Sequence, residues 1–263
     1  MHGHGLFLIF GAGKRPDRRA IRDFVERQPA VSITFDPADA PALRVVDPTA
    51  NEPGLPDAHN GDPHWLELLS AGLTFDLQGL TPSGGMKLPK IEYSFDFEDI
   101  PAAVGMEALR LVPGSHLSGG ERSMPVMRAL FGLARDLMQH FEEAEAAVWP
   151  PSRSLIGRRF FDSTVTAWLE GGAFPALGLT AFRETDDGGL ESVGLDFLIG
   201  QELLLDHSLV GDKVAATRLG IRLINQFVIM GGIHEAEYVT SPDGRRLLVS
   251  PSTDGTTIRV RGE

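Results

Sequence analysis

Residues 174–206 read Phe174-Pro-Ala-Leu-Gly-Leu-Thr-Ala-Phe-Arg-Glu184, then Thr185-Asp-Asp-Gly-Gly189, then Leu190-Glu-Ser-Val-Gly-Leu-Asp-Phe-Leu-Ile-Gly-Gln-Glu-Leu-Leu-Leu-Asp206. Two apolar runs flank a polar, glycine-rich tip, the pattern of a β-hairpin. Asp187-Gly188 supplies the turn, because glycine accepts the positive φ of a tight hairpin. Alternation then predicts a strand over 193–199. Val193, Leu195, Phe197 and Ile199 share one face, and Gly194, Asp196 and Leu198 the other.

Outward from the hairpin, helices and strands alternate. Upstream, the spacing of Met127, Leu130, Phe131, Ala134, Leu137, Met138 and Phe141 predicts a helix over 124–142. A strand is expected at 146–149, ended by Pro150-Pro151, and a helix from about Ser154 to Leu169. Downstream, Asp212 caps a second long helix ending at Gly231-Gly232. Its polar stripe (Arg218, Arg222, Asn225) is narrow, which predicts burial on most sides. The chain closes with strands around turns at 241–244 and 252–255.

The N-terminal part opens β-α-β: a strand at 6–10, a helix from Asp17 to Arg27 and a strand at 31–35. Residues 37–63 read as a long ordered loop with a short strand at 43–46. A short helix is expected at 64–71, and strands at 73–77, 91–97 and 109–112. Most strands are hairpin-linked. The fold expected is therefore α+β, with mixed, largely antiparallel sheets packed with helices. Two abutting subdomains are expected, 1–105 and 106–263.

Composition narrows the function. The chain has 263 residues, enough for a sizeable core. It carries 36 acidic against 24 basic residues, a formal charge of −12. Such a surface repels phosphate backbones, so neither nucleic acid nor an anionic membrane is an expected partner. The absence of cysteine removes disulfides, thiolate catalysis and cysteine-based zinc sites, and suits the cytoplasm. No apolar run is long enough to cross a bilayer.

Over residues 130–260 stand Ala146-Ala-Val-Trp149, Gly194-Leu195, Gly200, Glu202-Leu203 and the Asp254-Gly255-Thr256-Thr257 turn. With these residues the second half resembles an uncharacterised bacterial domain-of-unknown-function family of cytosolic proteins. The resemblance implies an α+β domain and carries no activity and no catalytic residue.

Motifs for chemistry are incomplete. Phe10-Gly-Ala-Gly-Lys14 sits between a strand and a helix, where a phosphate loop would be. It lacks the span and the hydroxyl of a Walker loop, and the third glycine of a dinucleotide fingerprint. Leu117-Ser-Gly-Gly-Glu121 looks like an ATP-binding-cassette signature without its Walker partner. His2-Gly-His4 and His59…His64 offer too few ligands for a metal. Ser115-His116 and Asp206-His207-Ser208 hold triad residue types outside any nucleophile elbow. No cofactor and no metal is expected.

One positive patch stands out in this acidic chain: Arg153, Arg158 and Arg159, beside Trp149. Arginine forks suit a carboxylate or phosphate, and they equally suit the protein's own acids. Glu202, the lone charge in the apolar run 197–205, is expected at the rim of this surface, paired with Arg153 or Arg159. The candidate binding residues are thus Trp149, Arg153, Arg159 and Glu202. The leading expectation is a non-catalytic binding or protein-interaction module for a protein or small-molecule partner. One alternative is a hydrolase or transferase built from distant acids and histidines. Another is nucleotide binding through Gly11 to Lys14.

Overall fold

The computed structural model describes residues 5–39, 64–81, 86–97, 105–241 and 243–263. The expected strand at 43–46 and most of the 37–63 loop lie outside the described residues. The fold is α+β, and the chain divides into two compact units. Unit 1 is Met1–Leu88 with Ala103–Glu145; unit 2 is Pro89–Ala102 with Ala146–Glu263. The chain therefore passes between units more than once, where the sequence suggests a single boundary near 105. Residues after 105 return to unit 1 because they complete its sheet.

In unit 1 the strands are β1 (Leu6–Phe10), β2 (Val31–Phe35), β3 (Trp65–Ser70), β4 (Leu73–Gln78) and β6 (Glu107–Pro113). They lie in the order β2-β3-β4-β6-β1, and every neighbouring pair is antiparallel. In β6, Leu111 stands opposite Leu77 on one side and Leu6 on the other. Helix α1 (Arg18–Arg27) is capped by Asp17, whose carboxylate accepts the Ala20 N–H. Helix α2 (Met124–His140) packs Met127, Leu130, Phe131, Ala134, Leu137 and Met138 into the core against β1 and β6. The helix expected at 64–71 is instead β3. Leu66, Leu68 and Ser70 are buried in strict alternation, and Ala71 and Gly72, with φ of 51° and 77°, turn the chain into β4. A period of two, with a sheet edge to join, outweighs the helical propensity of Leu and Glu.

Unit 2 holds a small sheet piece and a six-stranded sheet. In the first, β8 (Ser154–Gly157) pairs antiparallel with β7 (Ala144–Trp149) and parallel with β5 (Tyr93–Phe95). The strand expected over 91–97 is only these three residues, because Asp96 takes a φ of 65° and leaves the sheet. The helix expected from Ser154 begins four residues later, as α3 (Arg158–Leu169). An irregular turn, α4 (Ala176–Leu179), leads into the hairpin β9 (Ala181–Glu184) and β10 (Leu190–Val193). Its tip closes with the Thr185 N–H on the Gly189 carbonyl at 3.0 Å, as the Asp187-Gly188 signal requires.

The strand expected over 193–199 does not form. Gly194 turns the chain at φ 92°, residues 196–199 make one helical turn, α5 (Asp196–Ile199), and β11 (Glu202–Leu205) follows. The remaining strands are β12 (Glu237–Thr240), β13 (Arg246–Pro251) and β14 (Thr257–Gly262). The order is β12-β13-β14-β11-β10-β9, antiparallel except for the β11–β14 pair.

Helix α6 (Lys213–Met230) covers this sheet at β10 and β11. Asp212 caps it, accepting the Val214 and Ala215 N–H groups at 2.9 and 3.2 Å. Its buried stripe is Ala216, Gly220, Leu223, Ile224, Phe227 and Val228. The rest is not buried on most sides as its composition suggests. Val214, Arg218, Arg222, Gln226 and Ile229 are exposed, because the sheet covers only one face. Among the described residues no helix is long and apolar enough to cross a membrane.

Candidate functional site

The four residues singled out from the sequence do not converge as a ligand surface. Trp149 is fully buried, packed edge-on against Phe197 with ring centroids 5.3 Å apart. Arg153 occupies a left-handed turn, φ 54°, whose carbonyl accepts the Glu92 and Tyr93 N–H groups at 2.9 and 3.2 Å. Its guanidinium meets Glu92 Oε2 at 2.7 Å. Arg153 is thus a structural tie within unit 2. Arg159 stands exposed on the first turn of α3.

Glu202 pairs with neither arginine. Its carboxylate accepts the Gly194 N–H at 2.6 Å, the Leu195 N–H at 3.2 Å and the Ser192 hydroxyl. Ser192 Oγ in turn accepts the Leu203 N–H at 2.7 Å. The Gly194 turn brings the end of β10 back over the start of β11, so these donors arrive from Glu202's own loop. Burial raises the Glu202 pKa, the Ser192 and Gly194 bonds lower it, and the Asp196 carboxyl beside it raises it again; the outcome is a group pushed up to about 7. Gly194 is held on its other side by the 151–152 backbone. A Cβ there would sit 2.8 Å from Pro151 C and from Ser152 N and Cα. Trp149 and Glu202 therefore belong to one assembly, a latch rather than an open site.

The motif candidates resolve locally. At Gly11–Lys14 the Lys14 N–H closes a turn on the Gly11 carbonyl at 3.0 Å. A Cβ on Gly11 would lie 3.1 Å from Glu145 Oε1, and Asp17 already occupies the start of α1. Two carboxylates there oppose a phosphate. At 206–208, Asp206 Oδ1 accepts the Ser208 N–H and hydroxyl, at 3.0 and 2.8 Å, and lies 3.2 Å from His207 Nδ1. Serine thus donates to the acid instead of to the histidine, which is not a nucleophile–base order. Those Ser208 bonds lower the Asp206 pKa. Among the described residues no three His, Asp or Glu side chains gather as a metal site.

A different constellation lies along the flank of α6. A cavity of about 340 Å³ opens between α6, the start of β13 and the β12–β13 turn. Leu209, Leu219, Leu247 and Ala215 give it apolar walls. Arg218 and Arg222, one helical turn apart, and Arg245 from the turn are the basic residues of its lining. Asp243 is the one acid in the lining. It is held by the turn itself: Arg245 Nε meets it at 2.8 Å, and the Ser241 hydroxyl donates to it. Arg218 and Arg222 have no ion pair among the described residues. In a chain of net charge −12, two adjacent unpaired arginines beside a cavity are a departure from the surrounding charge.

The sequence contains a signal for this site. Arg218 and Arg222 have no Asp or Glu three or four residues away on the helix, and like charges at that spacing are mildly unfavourable. What it does not contain is the third arginine's approach, which depends on the register of β13 beside α6. Comparison with protein-family models, curated proteins and solved structures returns no match for the chain.

Proposed function

We propose that the protein is a non-catalytic binding module and that the α6 cavity of unit 2 takes a small anionic ligand. The observation that carries the reading is the pair Arg218 and Arg222, free of acidic partners among the described residues, beside a cavity that Arg245 also lines. Guanidinium forks recognise carboxylates and phosphates through paired, charge-assisted hydrogen bonds. A cavity of about 340 Å³ is of small-molecule size. The absence of cysteine supports a reducing compartment such as the cytoplasm. Membership of the bacterial family that residues 130–260 resemble belongs to the same proposal and adds no activity.

The test is a thermal melt with inorganic phosphate against sodium chloride at matched ionic strength. The wild type is expected to be stabilised by phosphate, since a ligand bound only by the folded state raises Tm. The Arg218→Ala/Arg222→Ala variant is expected to show no difference between the two salts. Both side chains are exposed, so the double change itself is expected to cost about 0.5 kcal/mol or less. Equal phosphate stabilisation in both proteins would remove the reading.

A second reading makes Glu202 the general acid–base of a hydrolase or transferase, favoured by its pKa of about 7. The binding reading is preferred because the loop itself engages both Glu202 oxygens. Turnover of an ester or phosphate-ester panel that disappears in Glu202→Gln would reverse the preference.

A further inference from the structure

Resting on the anion-binding reading of the α6 cavity, we propose that its ligand is a phosphate monoester whose ester group is apolar, a small aryl or alkyl phosphate. Charge selects the head group. Three arginines against Asp243 leave two net positive charges, and Asp243 is already engaged by Arg245 and Ser241. A phosphate monoester carries between one and a half and two negative charges at pH 7, about equal and opposite. Arg218 and Arg222 stand on successive turns of one helix, and a guanidinium is a planar fork, so the pair suits an anion with three terminal oxygens.

The walls select the tail. Leu209, Leu219 and Leu247 come from three separate elements, and Leu247 is nearly fully buried. Inorganic phosphate would leave the half-buried Leu209 and Leu219 facing water and most of the roughly 340 Å³ unfilled. An apolar ester group removes that surface from water, with a gain proportional to the area covered. An anion without an apolar body uses only half of what the cavity offers.

The experiment is calorimetry on the full chain at pH 7.5 with four probes: inorganic phosphate, phenyl phosphate, phenol and a phosphotyrosyl peptide. Phenyl phosphate is expected to bind about tenfold more tightly than inorganic phosphate, the gain from covering a few tens of Å² of apolar wall. Phenol is expected not to bind. Leu219→Ser is expected to bring phenyl phosphate down to the affinity that the same variant shows for inorganic phosphate; Leu219 is only half-buried, so the fold tolerates the change. Equal affinity of the two phosphates in the wild type overturns the inference and leaves the anion reading standing. Binding of neither overturns both, as does phenyl phosphate binding that survives Arg218→Ala/Arg222→Ala. A phosphotyrosyl peptide binding more than tenfold tighter than phenyl phosphate would move the ligand to a macromolecule and overturn the small-molecule assignment.

Discussion

At the scale of single residues, Glu202 has changed role. A surface pair with an arginine would cost little to lose. The latch seen here is different: Glu202→Ala leaves the Ser192 hydroxyl and the Gly194 and Leu195 N–H groups without their acceptor. Stranding buried donors is expensive, so a loss of about 2–4 kcal/mol is expected in urea melts. The pH dependence has a definite sign. The folded pKa is raised from 4.5 to about 7, so between those values the folded state holds a proton that the unfolded chain has released. This stabilisation is complete below pH 4.5 and lost as pH rises through 7. At 1.36 kcal/mol per unit it amounts to roughly 3 kcal/mol at most. Across that window the wild type is expected to lose stability relative to Glu202→Gln, which cannot ionise; parallel curves for the two proteins would count against the assignment. Gly194 makes a companion test. Its φ of 92° and the backbone 2.8 Å from a would-be Cβ leave Gly194→Ala both strained and blocked. Because the obstructing atoms are backbone, a loss of about 2–4 kcal/mol is expected by denaturant melt.

At the scale of elements, α6 does two jobs with two faces. The stripe Ala216, Gly220, Leu223, Ile224 and Phe227 seals the sheet, and Gly220 permits close approach: a Cβ there would meet the Phe182 ring at 2.7 Å. The exposed flank carries Arg218 and Arg222 beside the cavity. The first turn connects the two roles, because Asp212 holds the Val214 and Ala215 N–H groups and Ala215 lines the cavity. Asp212→Ala is expected to cost about 1 kcal/mol, the usual value of a lost N-cap. It is also expected to weaken phosphate binding a few-fold through fraying of that turn, with Arg218 still in place. Hydrogen exchange at residues 213–216 would report the fraying directly. Unchanged exchange there would show that packing on β10 and β11, not the cap, holds the turn.

For the whole molecule, the acidic balance and a phosphate-binding cavity are compatible once screening is considered. At physiological salt, charges farther apart than about 8 Å scarcely feel one another, so the local arginines outweigh distant carboxylates. A long polyanion has no such escape, because it must lie along the acidic surface. The expected result is that duplex DNA is not retarded by the protein in a gel at 150 mM salt, while phenyl phosphate still binds and weakens gradually as salt is raised. Tight, sequence-independent DNA retention would contradict this account of the charge distribution.

What the sequence determined by itself is local. The α2 periodicity, the Asp212 cap and the Asp187-Gly188 turn each depend on residues within one or two turns of chain, and each stands where its pattern puts it. The α+β class follows from the alternation of such elements. Tertiary structure decided the rest. Trp65-Leu-Glu-Leu-Leu-Ser70 suits a helix or a strand, and only the waiting edges of β2 and β4 make it a strand. Glu202 and Arg153 are opposite charges that the sequence pairs naturally, yet Gly194 folds three nearer donors onto the first, and Glu92 takes the second. The Arg218, Arg222 and Arg245 cavity joins a helix to a distant hairpin turn. Its existence depends on strand register and helix packing, which no run of neighbouring residues encodes, because contact energies between remote segments are set only when both are in place.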